Sequence, residues 1–389
     1  MKFYVLGASA LCLAAVSAQA GGVDRSGQSI GVIFETGTYA ELSFGSVTPM
    51  VSGTQVVTFP PALGGSTAGS ASENMTESYL QFGAALKHDY SDQLSVALIL
   101  EQPFGADVAY DNGTGYFASD ATALLASQSL TSVLRYKFDE NFSIHGGIRY
   151  QRLSAKAFIP YITLPAGPLA GTAYGVEGEV DDGWGYLLGA AYERPDIALR
   201  VALTYNSSIQ HNLDTTEDSA VGLGNSSTTE INAPQSLNLE FQTGIAEDTL
   251  LFGSVRWVDW TEFEIAPRDY LAVTGALAGG AGEALVSYDN DTITYNLGVG
   301  RRFNDKWAGS VSVGYEAPND DFASNLGPTS GFWSLGLGGA YTMDNMEISG
   351  GLRYVWIGDA ETEVGPFSPA TSFEDNHAVG VGMKIAFNF

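Results

Sequence analysis

A chain of 389 residues with 17 Lys and Arg against 44 Asp and Glu carries a net charge of -27. Such acidity excludes nucleic acid as a partner, because no basic stripe is available to displace counterions from phosphates. Cys12 is the single cysteine and falls in the leader described below, so the exported part has no thiol for a disulfide, a thiolate metal site or a nucleophile.

Lys2 precedes an apolar run from Val5 to Val16 that ends in the small-residue pattern Ser17-Ala18-Gln19-Ala20. This reads as a secretory signal over residues 1–20, cleaved before Gly21, and the run is shorter than the ~20 residues a spanning helix needs. Leu11, not a small residue, precedes Cys12, which argues against lipid attachment there. After the leader no run of 18 apolar residues occurs, so α-helical spanning is excluded. A closed barrel is the other way to satisfy backbone groups in lipid.

Residues 21–38 read as a short N-terminal plug and residues 39–389 as the barrel. From Tyr39 onward apolar residues recur at every second position, as in Leu80/Phe82/Ala84/Leu86, Leu199/Val201/Leu203/Tyr205 and Met346/Ile348/Leu352/Tyr354/Trp356. That is the period of a strand with one lipid-facing side, and fourteen such stretches can be counted. Short polar turns fall at Ser91-Asp92, Asp139-Glu140-Asn141, Arg194-Pro195-Asp196, Ala246-Glu247-Asp248, Asn304-Asp305-Lys306 and Asp344-Asn345. Long segments lie near residues 51–75, 101–127, 154–180, 207–231, 261–290, 317–330 and 358–374. Six short turns and seven long loops join fourteen strands with both ends on the short-turn side, the asymmetry of an outer-membrane barrel. Val379, Val381, Met383, Ile385, Phe387 and Phe389 alternate to the last residue, the kind of terminal strand the barrel-assembly machinery engages. The expected fold is therefore an all-β transmembrane antiparallel barrel of about fourteen strands with a short plug. It is expected to act as a monomer in the Gram-negative outer membrane, in contact with lipid and lipopolysaccharide.

The opposite parity must line the lumen, and the scarce basic residues concentrate there. Arg149, Arg256 and Arg353 each follow a short turn at similar distance, which places them near one level and makes them candidates for holding an anionic head group. Two long segments are apolar for loops facing water, one with Phe158, Ile159, Tyr161, Ile162 and Leu164, the other with Leu271, Val273 and Leu277. Both are candidates for a hydrophobic binding groove. His88, His145, His211 and His377 share no motif. His145, with lumen parity, reads as a packed interior histidine, so no enzyme activity, metal or cofactor is expected.

Pro234-Gln235-Ser236-Leu237, then Leu251 through Trp257-Val258-Asp259-Trp260-Thr261-Glu262-Phe263, is the most distinctive stretch, supported by Glu101-Gln102-Pro103-Phe104-Gly105-Ala106 and by Asp375 to Phe389. On these residues the sequence resembles the long-chain fatty acid transporter family of outer membranes, which also includes aromatic-hydrocarbon uptake channels. The resemblance implies a fourteen-stranded barrel with an N-terminal hatch, a low-affinity apolar groove in the external loops, an inner pocket and a sideways exit near a kinked third strand. Pro103, Phe104 and Gly105 are the candidate lateral-gate residues, since Pro cannot donate to a ladder and Gly tolerates a bulge. The sequence departs from the family in its hatch, where Phe34-Glu35-Thr36-Gly37 stands in place of Asn-Pro-Ala. Passive uptake of long-chain fatty acids or related hydrophobic molecules is the expected function, with a water-filled porin as the alternative.

Overall fold

The computed structural model describes residues 23–61, 65–160, 173–219, 226–278, 282–319, 321–365 and 367–389. The signal-like leader lies outside them. Among the described residues no helix is long and apolar enough to cross a membrane; strands make the wall. In chain order they are β1 (Tyr39–Met50), β2 (Tyr79–Asp89), β3 in two pieces (Leu94–Glu101 and Gly105–Ala109), β4 (Thr122–Lys137), β5 (Phe142–Ile159) and β6 (Tyr174–Arg194). Then come β7 in two pieces (Leu199–Asn206 and Ile209–Asp218), β8 in two pieces (Ser227–Ala233 and Ser236–Ala246), β9 (Thr249–Val258), β10 (Thr292–Arg302), β11 (Trp307–Glu316), β12 (Phe332–Met343), β13 (Met346–Ile357) and β14 (His377–Asn388). Each pairs antiparallel with its sequence neighbour, and β1 closes on β14 from Tyr39 opposite Asn388 to Met50 opposite His377. The sheet is thus a closed barrel of fourteen strands, with the six short turns where the sequence places them.

Side-chain parity follows the surrounding medium. Leu188, Leu337, Leu352 and Val381 point outward and are exposed, while Lys87, Arg135, Thr131, Gln151 and Arg149 point inward and are buried. A backbone of fixed period 2 gives this split when lipid lies on one side and a polar lumen on the other. Trp307 packs against Tyr341 at the short-turn end and Tyr315 against Trp333 at the loop end, both as tilted ring pairs. The two pairs are separated along β11 by about 26 Å at ~3.3 Å per residue, which matches the two interface girdles of a membrane band. Lumen charges near the turns are paired: Arg135 with Glu193, Lys87 with Asp89, and Lys384 with Glu41.

Toward the loops the polarity reverses. In the second piece of β7 the inward residues are Ile209, His211, Leu213 and Thr215, and the outward ones are Gln210, Asn212, Asp214 and Thr216, in strict buried–exposed alternation. The reversal is achieved by breaks at Ser207-Ser208 in β7 and Pro234-Gln235 in β8, and by a register shift in β6 opposite Ser154. At the break in β7 the chain turns in over β6: a Cβ on Gly183 or Gly185 would meet Ile209 at 2.5 or 2.6 Å, so only glycine fits. Much of what the sequence marks as long loops near 101–127, 154–180 and 207–231 is therefore strand standing above the membrane. Its outer face is polar because it meets water, and this hides it from a search for lipid-facing alternation.

The loops cap the barrel. Gly53–Gln55, Phe367–Phe373 and Ala360–Val364 form a small sheet, over a core that includes Phe59, Tyr110, Tyr116, Phe117 and Phe373. The apolar segment after Pro267 is a helix, α1 (Arg268–Ala278). Buried Glu217 on β7 accepts hydrogen bonds from Asp269 N at 2.9 Å and Tyr270 N at 3.3 Å, satisfying amides that a helix start leaves open. Tyr174 Oη also donates to Glu217, at 2.8 Å, and fixes the carboxylate.

Placing a charge on the lipid side tests this parity. Leu352→Arg, at a residue 48% exposed and flanked by exposed Leu337 and Val381, is expected to destabilise the barrel by about 2–4 kcal/mol. Urea unfolding in lipid vesicles measures it, and a variant as stable as the parent would refute the assignment.

Candidate functional site

The N-terminal segment from Val23 to Thr38 runs inside the barrel. A short 3-10 turn, Gly31–Phe34, buries Val32, Ile33 and Phe34 against small inward residues Ala85, Ala97, Ala191, Ala202 and Ala386. The guanidinium groups of Arg135, at 4.5 Å, and Arg200, at 4.7 Å, lie over the Phe34 ring, with His145 edge-on at 6.0 Å. The aromatic that stands where the family motif is missing therefore fills the lower lumen, held by cation–π attraction. His145 is a packed interior residue, its Nε2 bonded to Thr204 Oγ1 at 2.9 Å.

Higher up, the segment is clasped to the far wall. Arg256 on β9 donates Nε to Asp24 Oδ2 at 2.7 Å, Nη1 to Ser236 Oγ at 3.0 Å and Asn238 Oδ1 at 2.7 Å, and Nη2 to Gln28 Oε1 at 3.2 Å. Its hydrogen-bonding capacity goes to the plug and the adjoining wall. Arg353 turns to Ser334 Oγ and Asn296 Oδ1. Arg149, 2% exposed, lies beside Gln28, Ser29, Glu101 and Thr131. The three arginines expected to form one ring are thus placed among plug and wall.

On the opposite side the segment meets the break in β3. Gln102 and Pro103 leave the ladder, and β2 is bonded to β3 only from Ala84 to Asp89. Tyr79–Gly83 pair with β1 alone, which leaves an opening in the upper wall. The N-terminal segment occupies it: Gly105 N donates to the Val23 carbonyl at 2.9 Å and Arg25 N to the Pro103 carbonyl at 2.7 Å. In effect the plug adds a short strand to an otherwise open sheet edge. Pro103, Phe104 and Gly105 thus stand at the strand interruption where the sequence reading puts them.

Above the plug lies an apolar pocket lined by Leu125, Ala155, Leu213, Ile231, Phe263 and Tyr288 among others, with Val23 of the plug and Ala106 of β3 also in its wall. Its walls are the inward faces of the strand extensions plus both flanks of α1. The lining hydroxyls are engaged with one another, Thr215 Oγ1 with Thr229 Oγ1 at 2.8 Å and with the Leu213 carbonyl. Burial pushes the Tyr288 hydroxyl well above its usual pKa, so it stays neutral. Lys156, the one charged lining residue, is on the outward parity of β5 and exposed.

None of Arg149, Arg256 and Arg353 lines this pocket. Of the groove residues read from sequence, Phe158 is exposed and Ile159 packs on the loop core, while Tyr161, Ile162 and Leu164 lie outside the described residues. Leu271 and buried Val273 sit on α1, away from the pocket lining, and Leu277 is on the same helix with its side chain outside the described ones. The second apolar loop does contribute, through Ile265, Pro267, Leu285, Val286 and Tyr288 on either side of the helix. The helix inside the loop explains the displacement: its apolar residues serve its own packing. The missed residues on the strand extensions carry a signal that only the reversed phase reveals.

If Arg256 clasps the plug, Arg256→Met should free Asp24 and lower stability by about 3–5 kcal/mol, the cost of leaving one partner of a buried pair alone. Faster proteolysis of the N-terminal segment and new ion conductance in planar bilayers are the readouts. Unchanged protection would show the clasp to be dispensable.

A search of curated protein sequences gives no match. Among solved structures the fold is similar to that of a FadL homologue of Pseudomonas aeruginosa, at 15% identity over 92% of each chain with a TM-score of 0.72. It is also similar to the Pseudomonas putida toluene transporter TodX, at 13% identity over 97% of each chain and 0.66. The CymD monoaromatic hydrocarbon channel matches at 15% identity over 96% of this chain and 99% of that one, at 0.59. The family profile described as outer membrane protein transport protein (OMPP1/FadL/TodX) matches residues 33–389, and this chain belongs to that family of outer-membrane proteins.

Proposed function

We propose that this barrel carries small, uncharged hydrophobic molecules inward across the outer membrane of a Gram-negative bacterium, without chemistry on the cargo. Cargo enters among the external loops, rests in the pocket lined by Leu125, Leu213, Ile231 and Phe263, and leaves sideways at the break around Pro103, Phe104 and Gly105 once the N-terminal segment shifts. The observation that carries this reading is an apolar pocket placed directly over a plugged lumen, with the plug residue Val23 and the gate-strand residue Ala106 in its own wall. Transfer from water into such a pocket gains about 0.8 kcal/mol per buried CH₂, and the one cation in its lining, Lys156, sits on the outward, exposed face of β5, where it gives a buried carboxylate little compensation. The family's solved members include proteins named as toluene transporters and a monoaromatic hydrocarbon channel, cargo of the same uncharged class.

In this reading the arginines serve the plug and not a ligand head group. Residues 1–20 act as the export signal, the plug comprises 21–38, and the last strand is what the assembly machinery engages. Contacts with lipid and lipopolysaccharide follow from the girdles, and one copy suffices because the pocket is built within one barrel. A water-filled porin would need an open lumen, and Ile33 and Phe34 occupy it.

Binding of matched hydrophobes is the direct test. The methyl ester of a fatty acid is expected to bind the purified protein at least tenfold more tightly than the free acid at neutral pH, by the desolvation cost of an unpaired carboxylate. Leu213→Asp should abolish ester binding with the barrel still folded. Tighter binding of the acid would return the arginines to the ligand site.

A further inference from the structure

We infer that Arg25 is the latch of the lateral opening, its guanidinium filling the gap between β2 and β3 until it is drawn off the Tyr79 ring. The inference deepens the proposed sideways exit and rests on that route. Its basis is the placement of one side chain. The Arg25 guanidinium lies 3.8 Å from the centre of the Tyr79 ring, at the start of the stretch of β2 that lacks a ladder partner on the β3 side. Across the gap, Gly105 leaves the space the head occupies: a Cβ there would meet Arg25 Nη1 at 2.6 Å. The backbone of Arg25 holds the gate, its N–H donating to the Pro103 carbonyl and its own carbonyl accepting from Gln81 Nε2.

The head is held by ring and charge more than by hydrogen bonds. Arg25 Nε and Nη2 are buried without hydrogen-bond partners, and Asp107 is the acid whose charge supports it. Arginine cannot shed its charge, so leaving donors unsatisfied makes this a weak closure, stable enough to block the gap and poor enough to release. Outside the gap stands lipid, since Leu80, beside Tyr79, is 77% exposed on the barrel's outer face. Inside stands the pocket, since Val23, two residues from Arg25, lines it. Cargo pressing on Val23 therefore acts on the residue that stoppers its exit.

The native chain has no cysteine beyond Cys12 in the leader, so a two-cysteine variant is clean. Phe82→Cys with Gln102→Cys spans the gap, where Phe82 N and Gln102 Oε1 are 2.9 Å apart, and a short bis-maleimide would tether it. Uptake of the uncharged fluorophore N-phenylnaphthylamine is followed in cells carrying each variant, with heat-modifiable gel mobility reporting the folded barrel. Arg25→Met should raise uptake roughly tenfold, the change expected for losing one buried cation–π contact. Tyr79→Leu should do the same, and the double variant should add nothing further, because both remove one contact. Arg25→Lys should restore part of the closure, and tethering should abolish uptake in all of them. Arg25→Met at or below the parent rate, or additive effects of the two single variants, would overturn the latch while tether-blocked uptake leaves the lateral exit standing. Uptake that survives tethering would overturn the exit and the latch together.

Discussion

The architecture depends on a mismatch between a strand's fixed alternation and a medium that changes along it. Every second residue faces out, first into hydrocarbon and then, higher up, into water. The outer face must switch from apolar to polar at the membrane edge, and the inner face is free to switch the other way. In β4 the change needs no break: inward Arg135, Val133 and Thr131 give way to Leu125 and Ala123, while outward Leu134 and Leu130 give way to Gln128. In β7 and β8 breaks at Ser207-Ser208 and Pro234-Gln235 shift the phase. The result is a polar lower lumen that accommodates the plug and an apolar upper chamber that accommodates cargo.

The membrane-embedded part of this was legible in the sequence because lipid enforces it. Leu352, Tyr354 and Trp356 have to alternate with small or polar residues, and short turns such as Asp344-Asn345 have to be tight. The upper chamber was not legible by the same means. Leu213 and Ile231 look like isolated apolar residues in acidic loops until Asp214 and Glu230 are recognised as the wet face of the same strands. The arginines show the complementary failure: equal distance from a turn fixes the height of Arg256 but not its partner. Asp24 lies 232 residues away in sequence, and no local pattern connects the two. Phe34 was visible only as a departure from a motif, whereas its role is set by Arg135 and Arg200, whose guanidinium groups both lie over its ring.

Plug and wall are joined by contacts of different character. Below, Phe34 and Ile33 pack with small alanines; in the middle, Arg256 clasps Asp24 through a network in which each arginine nitrogen finds an acceptor. At the gate, backbone bonds to the broken strand and a single stacked guanidinium do the holding. Satisfied networks are costly to take apart, and partly satisfied ones yield first. The gradient in bond quality thus runs from a fixed base to a loose upper end, which is where a passage must form.

Val23, Asp24 and Arg25 are consecutive, yet each serves a separate surface: chamber floor, far wall and exit. In extended backbone successive side chains point to opposite sides, so this division of labour depends on counting, not on chemistry alone. Swapping one of the three for a residue of similar bulk leaves the other two aimed correctly. Inserting or deleting a single residue would rotate all three onto the wrong neighbours at once, so the tripeptide is constrained in length more severely than in identity.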